Sequence, residues 1–396
     1  MQMELPTYEL NEKYNELMSR IAQEFPTSSG LTNAEKYMKG LLTPIERKNG
    51  WQLAEAMGES TPYALQQFLY RGQFNADNLR DHLRNYVNEE LGTEDGVLVT
   101  DETGFLKQGK MSVGVKRQYS GTAGRIENCQ IGVFLTYASA KGHAPIDRRL
   151  YIPEDWFQNP ERCLKAGIPE TVVFQTKPQI ALEMIQAATD AGVSYKWVTG
   201  DCVYGDYTDI RMWLEKQRKC YVMSVSGKAY VWRGYKQSSV GSILKNLPPE
   251  GWFEASCGDG SKGTRVYDWL SLPINPGTAP GYERSLLIRR SKSDPGELRA
   301  YICFAQVDTP VQKYVEVAGC RWTIESCFKE SKSEVGLDQY EVRSYSGWYK
   351  HITFACLALA LLTVVSCYSL DKMTIQQHNP ASSSLDDFKR GRGLRV

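Results

Sequence analysis

Histidine and paired cysteine are scarce in this chain of 396 residues, and their scarcity excludes several kinds of site. There are four histidines and ten cysteines, and no two cysteines are separated by only two residues. Zinc sites are built mainly from these residue types at short spacings, so no zinc site is expected. The scattered cysteines also give no disulfide framework, and we predict a reducing, cytoplasmic location.

The chain also has no excess of basic or of acidic residues. The chain has 47 basic and 46 acidic residues and a net charge of +1, so a nucleic-acid partner would have to be contacted by local basic patches. No long apolar run is present, because the most apolar stretch, 352–365, has only fourteen residues. That length is short for a membrane span and typical of a buried helix. The first twenty residues lack the continuous apolar segment of a secretory signal.

The N-terminal residues 1–93 are predicted to form a helical DNA-binding domain. The whole chain is 42% hydrophobic and 11% aromatic, which indicates a folded protein with a sizeable core. Two short helices at 50–57 and 61–70 have the arrangement of a helix-turn-helix that reads DNA, although short helices joined by tight turns occur in many bundles. Helical spacing of apolar residues predicts helices at 8–25, 31–42, 50–57, 61–70 and 76–91.

A change of pattern after residue 93 predicts an α/β core. Strands rich in β-branched and aromatic residues come first, and helices then alternate with strands. The predicted strands are 97–100, 112–118, 130–139, 149–152, 196–199 and 220–225, and the helices are 178–191 and 207–217. Many Gly, Ser, Pro and Trp residues then interrupt the order. We divide this part of the chain into core residues 94–225, a β-rich insertion at 226–293, core residues 294–368 and a mobile basic tail at 369–396.

One long helix is predicted at 309–336, with signals at both ends. Thr309 can cap it, Pro310 suits the first helical position, and Gln312 completes a capping box. Gly336 can end it. The boundaries are therefore better marked than those of most elements in this chain.

Three charged residues follow a single stripe of this helix. At about 100° per residue, Arg321 and Lys332 lie within roughly 40° of Glu325, and the three span about 16 Å along the axis. This geometry can follow a phosphate backbone. An ordinary surface ion pair between Arg321 and Glu325 is the alternative, and such pairs contribute little.

Two aspartates each follow a predicted strand. Asp101 comes after an apolar run and precedes a turn, and Asp201 stands between a strand and a helix. Carboxylates at these places are held rigidly at a sheet edge, although an Asp after a strand also serves ordinary turns and helix caps. Glu102 and Asp206 are rival carboxylates at the same two places. Hard cations such as Mg²⁺ prefer carboxylate oxygens, and three carboxylates can hold two ions for phosphodiester chemistry.

These residues resemble the DDE transposases of bacterial insertion sequences, whose catalytic core is ribonuclease H-like. That family has two strand-end aspartates and a helix glutamate inside an R-x-x-x-E-x-x-x-x-x-x-K signature. Arg321, Glu325 and Lys332 stand at those spacings, and the segments 321–325 and 336–343 look like the C-terminal block of the family. Where related members carry a tyrosine, this chain has Ala318. The resemblance covers roughly residues 95–365, including the insertion of the cut-and-paste members.

The resemblance implies a metal-dependent DNA endonuclease and strand transferase. Asp101, Asp201 and Glu325 would be catalytic and would bind two Mg²⁺ ions, for which Mn²⁺ can substitute. Water would attack the phosphodiester at the element end, and the freed 3′-hydroxyl would attack target DNA. The partners would be double-stranded DNA, namely the terminal inverted repeats and the target, and further copies of this chain in a dimer or larger assembly.

Basic and aromatic residues elsewhere are further candidates for DNA binding. Arg321 and Lys332 would contact phosphates, and Trp232 or Trp252 in the insertion would stack on an unpaired base, unless these tryptophans are core residues. No acidic residue lies between Glu102 and Glu127, a stretch that forms either a positive surface or an ordinary solvated hairpin. Its cations are Lys107, Lys110, Lys116, Arg117 and Arg125.

Two other functions fit parts of the sequence. A repurposed transposase would bind DNA or a protein partner without cleaving DNA. A glycoside hydrolase would use a pair of carboxyl groups without a metal, and its activity would survive EDTA. That chemistry gives no role to Arg321 and Lys332.

Overall fold

Five helices form the N-terminal part of the computed structural model, which describes residues 7–260, 263–277 and 279–378. All five predicted helices are present, and a short 3-10 turn, Ala22–Glu24, follows the first. Side-chain oxygens of Asn49 and Asn75 accept backbone N–H groups and so begin the third and fifth helices. The helices are α1 (Thr7–Ile21), α2 (Ser28–Leu42), α3 (Gly50–Ala56), α4 (Tyr63–Arg71) and α5 (Ala76–Leu91).

A large mixed sheet forms the core. The strands are β1 (Val97–Leu106), β2 (Lys116–Ser120), β3 (Arg125–Ser139), β4 (Gly142–Tyr151), β5 (Trp197–Gly200), β6 (Cys220–Val225), β7 (Tyr230–Arg233), β8 (Lys236–Ser239), β9 (Phe253–Gly260), β10 (Gly263–Pro273), β11 (Tyr282–Arg290) and β12 (Leu298–Gln306). Their order is β2-β3-β1-β5-β6-β12-β11-β10-β9, and β4 pairs with β3. β5 is parallel to β1 and to β6, and the other pairs are antiparallel. The predicted fold class, a ribonuclease H-like mixed sheet flanked by helices, is confirmed.

Most of the β-rich segment continues this sheet. β9, β10 and β11 extend it beyond β12, whose own partner on the other side is β6. Only β7 and β8 form a separate two-stranded sheet. β12 covers the edge of β6, and β11 in turn covers the edge of β12, since an unpaired edge strand leaves backbone hydrogen-bonding groups unsatisfied.

Eight further helices lie around the sheet in the described residues. α12 packs against β1, β5, β6 and β9, and α13 packs against β4 and the N-terminal helices. The helices are α6 (Glu154–Phe157), α7 (Pro160–Ala166), α8 (Lys177–Asp190), α9 (Cys202–Gly205), α10 (Thr208–Lys216), α11 (Val240–Leu244), α12 (Val311–Ser333) and α13 (Tyr345–His378).

α13 is the apolar helix that the sequence predicted, and it is longer than expected. Its stretch Tyr345–Ser369 has the length and the mean hydropathy, 2.1, to cross a membrane, but 72% of the apolar window is buried inside the protein. Phe354 packs there against aromatic rings of the N-terminal helices, including Phe68 at 5.5 Å. α13 is therefore a core helix. The predicted tail boundary at 369 falls within it, and residues 379–396 lie outside the described residues.

α12 confirms the long helix but not its predicted capping. The helix begins at Val311 after Pro310, and no side chain caps its first turn. The Thr309 hydroxyl donates instead to the Gln306 carbonyl oxygen at 2.8 Å, so the capping box is absent. Gly336, with a φ of +65°, follows the helix as predicted. The left-handed conformation there suits glycine, because it has no Cβ.

Candidate active site

Asp101 lies within a strand rather than at its end. β1 continues to Leu106 because β3 pairs with it along its full length, and Asp101 stands opposite Phe134. The sequence suggested a turn because Glu102 and Gly104 are poor strand formers. The partner strand overrides that local preference. The Asp101 Oδ1 atom accepts the Glu102 N–H at 2.8 Å.

Asp201 lies where the sequence predicted, between β5 and α9. Its Oδ1 atom accepts the Val203 N–H at 2.8 Å and so caps α9. Thr100 of β1 is in register with Gly200 of β5, so the residues that follow them, Asp101 and Asp201, are neighbours at the sheet. The parallel pairing of β1 and β5 thus brings the two carboxylates together.

The two aspartates form a pair of neighbouring acidic groups without an ion-pair partner of their own in the described residues. Burial, and after it the charges of Glu102 and Asp201, together raise the pKa of the Asp101 carboxyl to about 8. Burial, followed by the charge of Glu102, also raises the pKa of Asp201. Arg321 opposes both shifts. In the described residues, neither carboxylate has an ion-pair partner within 4 Å. Close, partly buried carboxylates of this kind fit a hard divalent cation.

Glu102, the rival candidate beside Asp101, has a partner on each of its carboxylate oxygens and is therefore not a free metal ligand. Its Oε1 atom pairs with Lys177 Nζ at 2.6 Å, and its Oε2 atom accepts a hydrogen bond from the Tyr204 hydroxyl. Burial, together with the charge of Glu102, raises the pKa of that hydroxyl well above its usual value. Glu102 therefore fixes Tyr204 and Lys177 beside the aspartates.

Glu325, the third predicted ligand, is paired with Arg321. The distance from Arg321 Nη2 to Glu325 Oε1 is 2.9 Å, and 53% of the Glu325 side chain is exposed. Arg321 thus links Glu325 to the two aspartates, since its charge opposes the rise in their pKa values. Among the described residues, no group of three or more His, Cys, Asp or Glu side chains is arranged to hold a metal ion. The structure brings two of the three carboxylates together and holds the third through an arginine.

Lys332 lies further along the same face of α12, close to β1. Its Nζ atom donates to Thr103 Oγ1 and Thr122 Oγ1, each at 2.9 Å. Burial lowers the pKa of this amine. The predicted stripe therefore contacts β1 through Lys332 at one end and shares a cleft with Asp201 through Arg321 at the other, with Glu325 between them.

The other basic candidates have different surroundings. Lys107 donates to the Tyr340 carbonyl oxygen and its Nζ lies 3.6 Å from the centre of that ring, and burial lowers its pKa to about 8. Lys116 is exposed and pairs with Asp155 at 3.2 Å. Lys110 and Arg117 are exposed. Arg125 is exposed too and pairs with Glu127 at 2.9 Å. Of the five cations, all except Lys107 therefore present charge at the surface.

The tryptophans of the insertion also differ. Trp232 is 50% exposed on the β7–β8 hairpin. Trp252 packs beneath Arg290, whose guanidinium carbon lies 3.9 Å from the ring centre. Trp269 is fully buried. Of the two tryptophans predicted to meet DNA, Trp232 is the one that faces solvent freely.

A cluster of arginines and aromatic rings beside the aspartates was not foreseen. Trp322 of α12 and Tyr267 of β10 have nearly parallel rings, 5° apart in plane and 6.4 Å between centres. Arg289 lies 4.2 Å from the Tyr267 ring and 5.3 Å from the Trp322 ring, and Arg265 lies 4.6 Å from Trp322. The position of Trp322 next to Arg321 was a visible signal. The other members come from strands far away in sequence.

Two clefts meet at this cluster. The smaller, of about 430 Å³, is lined by Asp201, Arg299 and Arg321. The larger, of about 740 Å³, is lined by Glu325, Arg265 and Lys329. Trp322 lines both clefts. The surface around the candidate site thus combines a few carboxylates with several guanidinium groups, which suits a phosphate-bearing substrate.

Comparison with known proteins agrees with this chemistry. The family model described as DDE superfamily endonuclease matches residues 20–240, and the model described as transposase DDE domain matches residues 175–361. A probable transposase for the insertion sequence element IS701, from Microchaete diplosiphon, is 22% identical over 326 residues. That alignment covers 79% of this chain and 77% of the relative.

Proposed function

This chain belongs to the DDE superfamily of endonucleases, and we propose that it acts as a cut-and-paste DNA transposase. It binds the ends of an insertion sequence, cleaves the phosphodiester bond there and transfers the freed strand to target DNA. The observation that carries this proposal is the pair of neighbouring carboxylates, Asp101 and Asp201, facing the guanidinium of Arg321.

Asp101 and Asp201 are the residues that would hold the divalent ions, with Glu325 as the third candidate. Bound Mg²⁺ or Mn²⁺ supplies Lewis acidity toward the phosphodiester and lowers the pKa of water. Binding of a cation would also remove the repulsion that raises the pKa of Asp101. The all-oxygen donor set fits Mg²⁺ better than zinc.

Arg321 and Lys332 orient the phosphate backbone along α12. Arg321 lies at the aspartates, and Lys332 is held against β1 by two threonine hydroxyls. A guanidinium and an amine at the two ends of one helical stripe fix the scissile strand in a single direction. Self-association into a dimer or larger assembly belongs to this proposal, because transposition joins two element ends.

The test is cleavage of a duplex that carries the inverted repeats flanking this reading frame. Wild-type protein is expected to cut at the element end with Mg²⁺ or Mn²⁺ and to lose activity in EDTA. Asp101→Asn, Asp201→Asn and Glu325→Gln are expected to bind the same duplex without cutting it. Full cleavage by any one of these variants would remove that residue from the site.

A second candidate function is a repurposed transposase that binds DNA without cleaving it. The ion pair between Arg321 and Glu325 favours it, because that pair occupies the third carboxylate. Specific binding of element ends by wild-type protein, with no product in either metal, would support this alternative. Metal-dependent cleavage would dismiss it.

A further inference from the structure

The hydrogen-bonded pairing between the strands that lead to the two aspartates ends just before them. The last residues in register between β1 and β5 are Thr100 and Gly200. β1 then continues along β3, whereas the chain after β5 turns into α9. Backbone pairing of β1 with β5 therefore does not extend to Asp101 and Asp201, so other contacts are needed to fix the separation of their carboxylates.

Glu102 and Tyr204 supply such contacts. The Glu102 backbone N–H donates to Asp101 Oδ1 at 2.8 Å. The Tyr204 backbone N–H donates to the Asp201 carbonyl oxygen at 3.2 Å. The Tyr204 hydroxyl donates in turn to Glu102 Oε2, and within the described residues no other side-chain hydrogen bond joins β1 to α9. Each aspartate is thus bonded to one member of a pair whose side chains are bonded to each other.

Two glycines allow Tyr204 to reach β1. A Cβ atom added at Gly200 would lie 3.3 Å from Tyr204 Cβ, and one added at Gly205 would lie 1.9 Å from the Ser224 carbonyl oxygen. α9 therefore packs this closely against β5 and β6 because both residues are glycine. The Tyr204 side chain is fully buried there. A buried tyrosine hydroxyl needs a hydrogen-bond partner, and Glu102 provides it.

Lys177 holds the other carboxylate oxygen of Glu102. Its Nζ atom lies 2.6 Å from Glu102 Oε1, and less than a quarter of either side chain is exposed. Lys177 is the first residue of α8, whose start is fixed by a capping box of Thr176 and Gln179. A cation in the first turn of a helix is disfavoured by the helix dipole. Helix stability therefore does not account for this lysine, and its pairing with Glu102 does.

The Glu102 side chain lies on the other side of β1 from the Asp101 carboxylate, because successive residues of a strand alternate between the faces of the sheet. The surroundings of the two residues agree with this alternation. Arg321 of α12 acts on Asp101, whereas Lys177 of α8 pairs with Glu102. Glu102 and its two partners therefore support the aspartates from behind, away from the clefts that Arg321 lines.

We propose that Tyr204 and Lys177 are positioning residues that act through Glu102. They fix the separation of the two aspartate carboxylates and hence the affinity of the site for a divalent cation. Residues that orient the ligands of a metal site typically contribute 10–100-fold to metal affinity. The proposal rests on the proposed function for the metal-binding role of the aspartates.

The test measures Mn²⁺ binding by the full-length protein, with and without an element-end duplex. The electron paramagnetic resonance signal of free Mn²⁺ gives the bound fraction, so the measurement does not require cleavage. We expect Tyr204→Phe to bind Mn²⁺ about tenfold more weakly, because the ring is kept and the bond to Glu102 is lost. Cleavage by this variant should recover as Mn²⁺ is added, with a larger change in the half-saturating concentration than in the rate at saturation.

Tyr221→Phe is the matched control. Tyr221 is also fully buried, its hydroxyl donates to Glu215 Oε1 at 2.7 Å, and Glu215 is also paired with a cation, Arg284. Tyr221 lies away from the aspartates, since it is in register with Val198, three residues before Asp201. Both variants lose the same kind of bond and should melt at similar temperatures. Tyr221→Phe is expected to keep the Mn²⁺ affinity of wild-type protein.

Lys177 gives a second test at a partly exposed position. Lys177→Met is expected to weaken Mn²⁺ binding severalfold in the absence of DNA. Lys177→Arg should recover most of that loss, because a guanidinium can also pair with the Glu102 carboxylate. If Lys177→Met changed the affinity for the duplex and left Mn²⁺ binding without DNA unchanged, Lys177 would be a DNA contact and its positioning role would be overturned.

The outcomes separate this inference from the proposed function. Wild-type Mn²⁺ affinity in Tyr204→Phe, or equal losses in Tyr204→Phe and Tyr221→Phe, would overturn the inference alone when wild-type protein cleaves DNA. A loss of Mn²⁺ affinity specific to Tyr204→Phe, in a protein that never cleaves, would support the inference and overturn the proposed cleavage. Wild-type protein that binds no Mn²⁺ in either condition would overturn both.

Discussion

Two groups of buried acidic residues in this protein differ in whether their carboxylates are paired with arginines. At the junction of α5 and β4, Asp147 is fully buried and its carboxylate is paired with Arg80 at 3.2 Å and Arg84 at 3.0 Å. At the sheet edge, Asp101 and Asp201 face each other and have no ion-pair partner of their own in the described residues. The first group is complete without a ligand and joins the N-terminal helices to the sheet. The second group lacks a counter-charge, which a bound divalent cation would supply.

The strongest test of this difference is to remove one carboxylate from each group. Asp101→Asn is expected to lower the cleavage rate by about 10³-fold or more, since a metal ion supplies several kcal/mol of transition-state stabilisation. Its melting temperature should not fall, because repulsion between carboxylates is relieved. The measurement is cleavage kinetics with a thermal melt of the same preparation. A variant that unfolds would place Asp101 in the first group.

Asp147→Asn should have the reverse effect. Loss of the carboxylate leaves the buried Arg84 with only the exposed Asp81, at 3.5 Å, as a counter-charge and removes the 3.2 Å partner of Arg80, and we expect a loss of about 3–5 kcal/mol in the free energy of unfolding. Urea denaturation measures it. Asp95→Asn is the control: Asp95 is 60% exposed and pairs with Lys313 at 3.4 Å, and removal of a surface pair should cost less than about 1 kcal/mol. Equal losses in both variants would contradict the distinction.

His351 of α13 allows the packing of α13 against α2 to be tested by pH. The ring is buried between Tyr37, 2.7 Å from Nδ1, and the Gly336 carbonyl oxygen, 3.2 Å from Nε2. Burial, and after it the charge of Lys107, together lower the pKa of His351 from its usual value of 6.5 to about 4. The unfolded chain therefore binds a proton first. Stability is complete above about pH 6.5 and falls by up to about 3 kcal/mol as the pH drops toward 4.

His351→Gln is expected to reduce the pH dependence of the free energy of unfolding between pH 4 and pH 6.5. Urea denaturation between pH 4 and pH 7 gives the slopes for variant and wild-type protein. The absolute stability of the variant is not the readout, since it also loses a contact with Tyr37. Identical slopes in the two proteins would show that another group titrates in this range.

The smallest expected effect concerns the placement of α12 against the site. A Cβ atom added at Gly319 would lie 2.0 Å from the Cys257 carbonyl oxygen, so α12 approaches β9 closely only because this residue is glycine. Gly319→Ala must displace the helix that carries Arg321 and Glu325, and a shift near 1 Å can cost 10–100-fold in rate. We expect about a tenfold loss of cleavage. Gly109→Ala, where an added Cβ meets nothing within 4 Å, is the control.

Local sequence patterns predicted the helices well and the edges of the site less well. Apolar periodicity located α1 to α5, and the strand-to-helix transition located Asp201 as an N-cap. The prediction that β1 ends before Asp101 was wrong, because pairing with β3 outweighs the poor strand propensity of the next residues. The proposed roles of Asp101, Asp201 and Glu325 stay predictions until cleavage is measured.

The sequence by itself determined the residue types of the site, their order along the chain, and the helical stripe of Arg321, Glu325 and Lys332. Spacing along one helix is a local property, and periodicity reveals it. Only the tertiary structure decided which side chains meet. The parallel pairing of β1 with β5 joins Asp101 to Asp201, and the extension of the sheet from β6 to β9 brings Tyr267, Arg265 and Arg289 to Trp322. Contacts between distant strands depend on sheet order and register, which no local pattern contains.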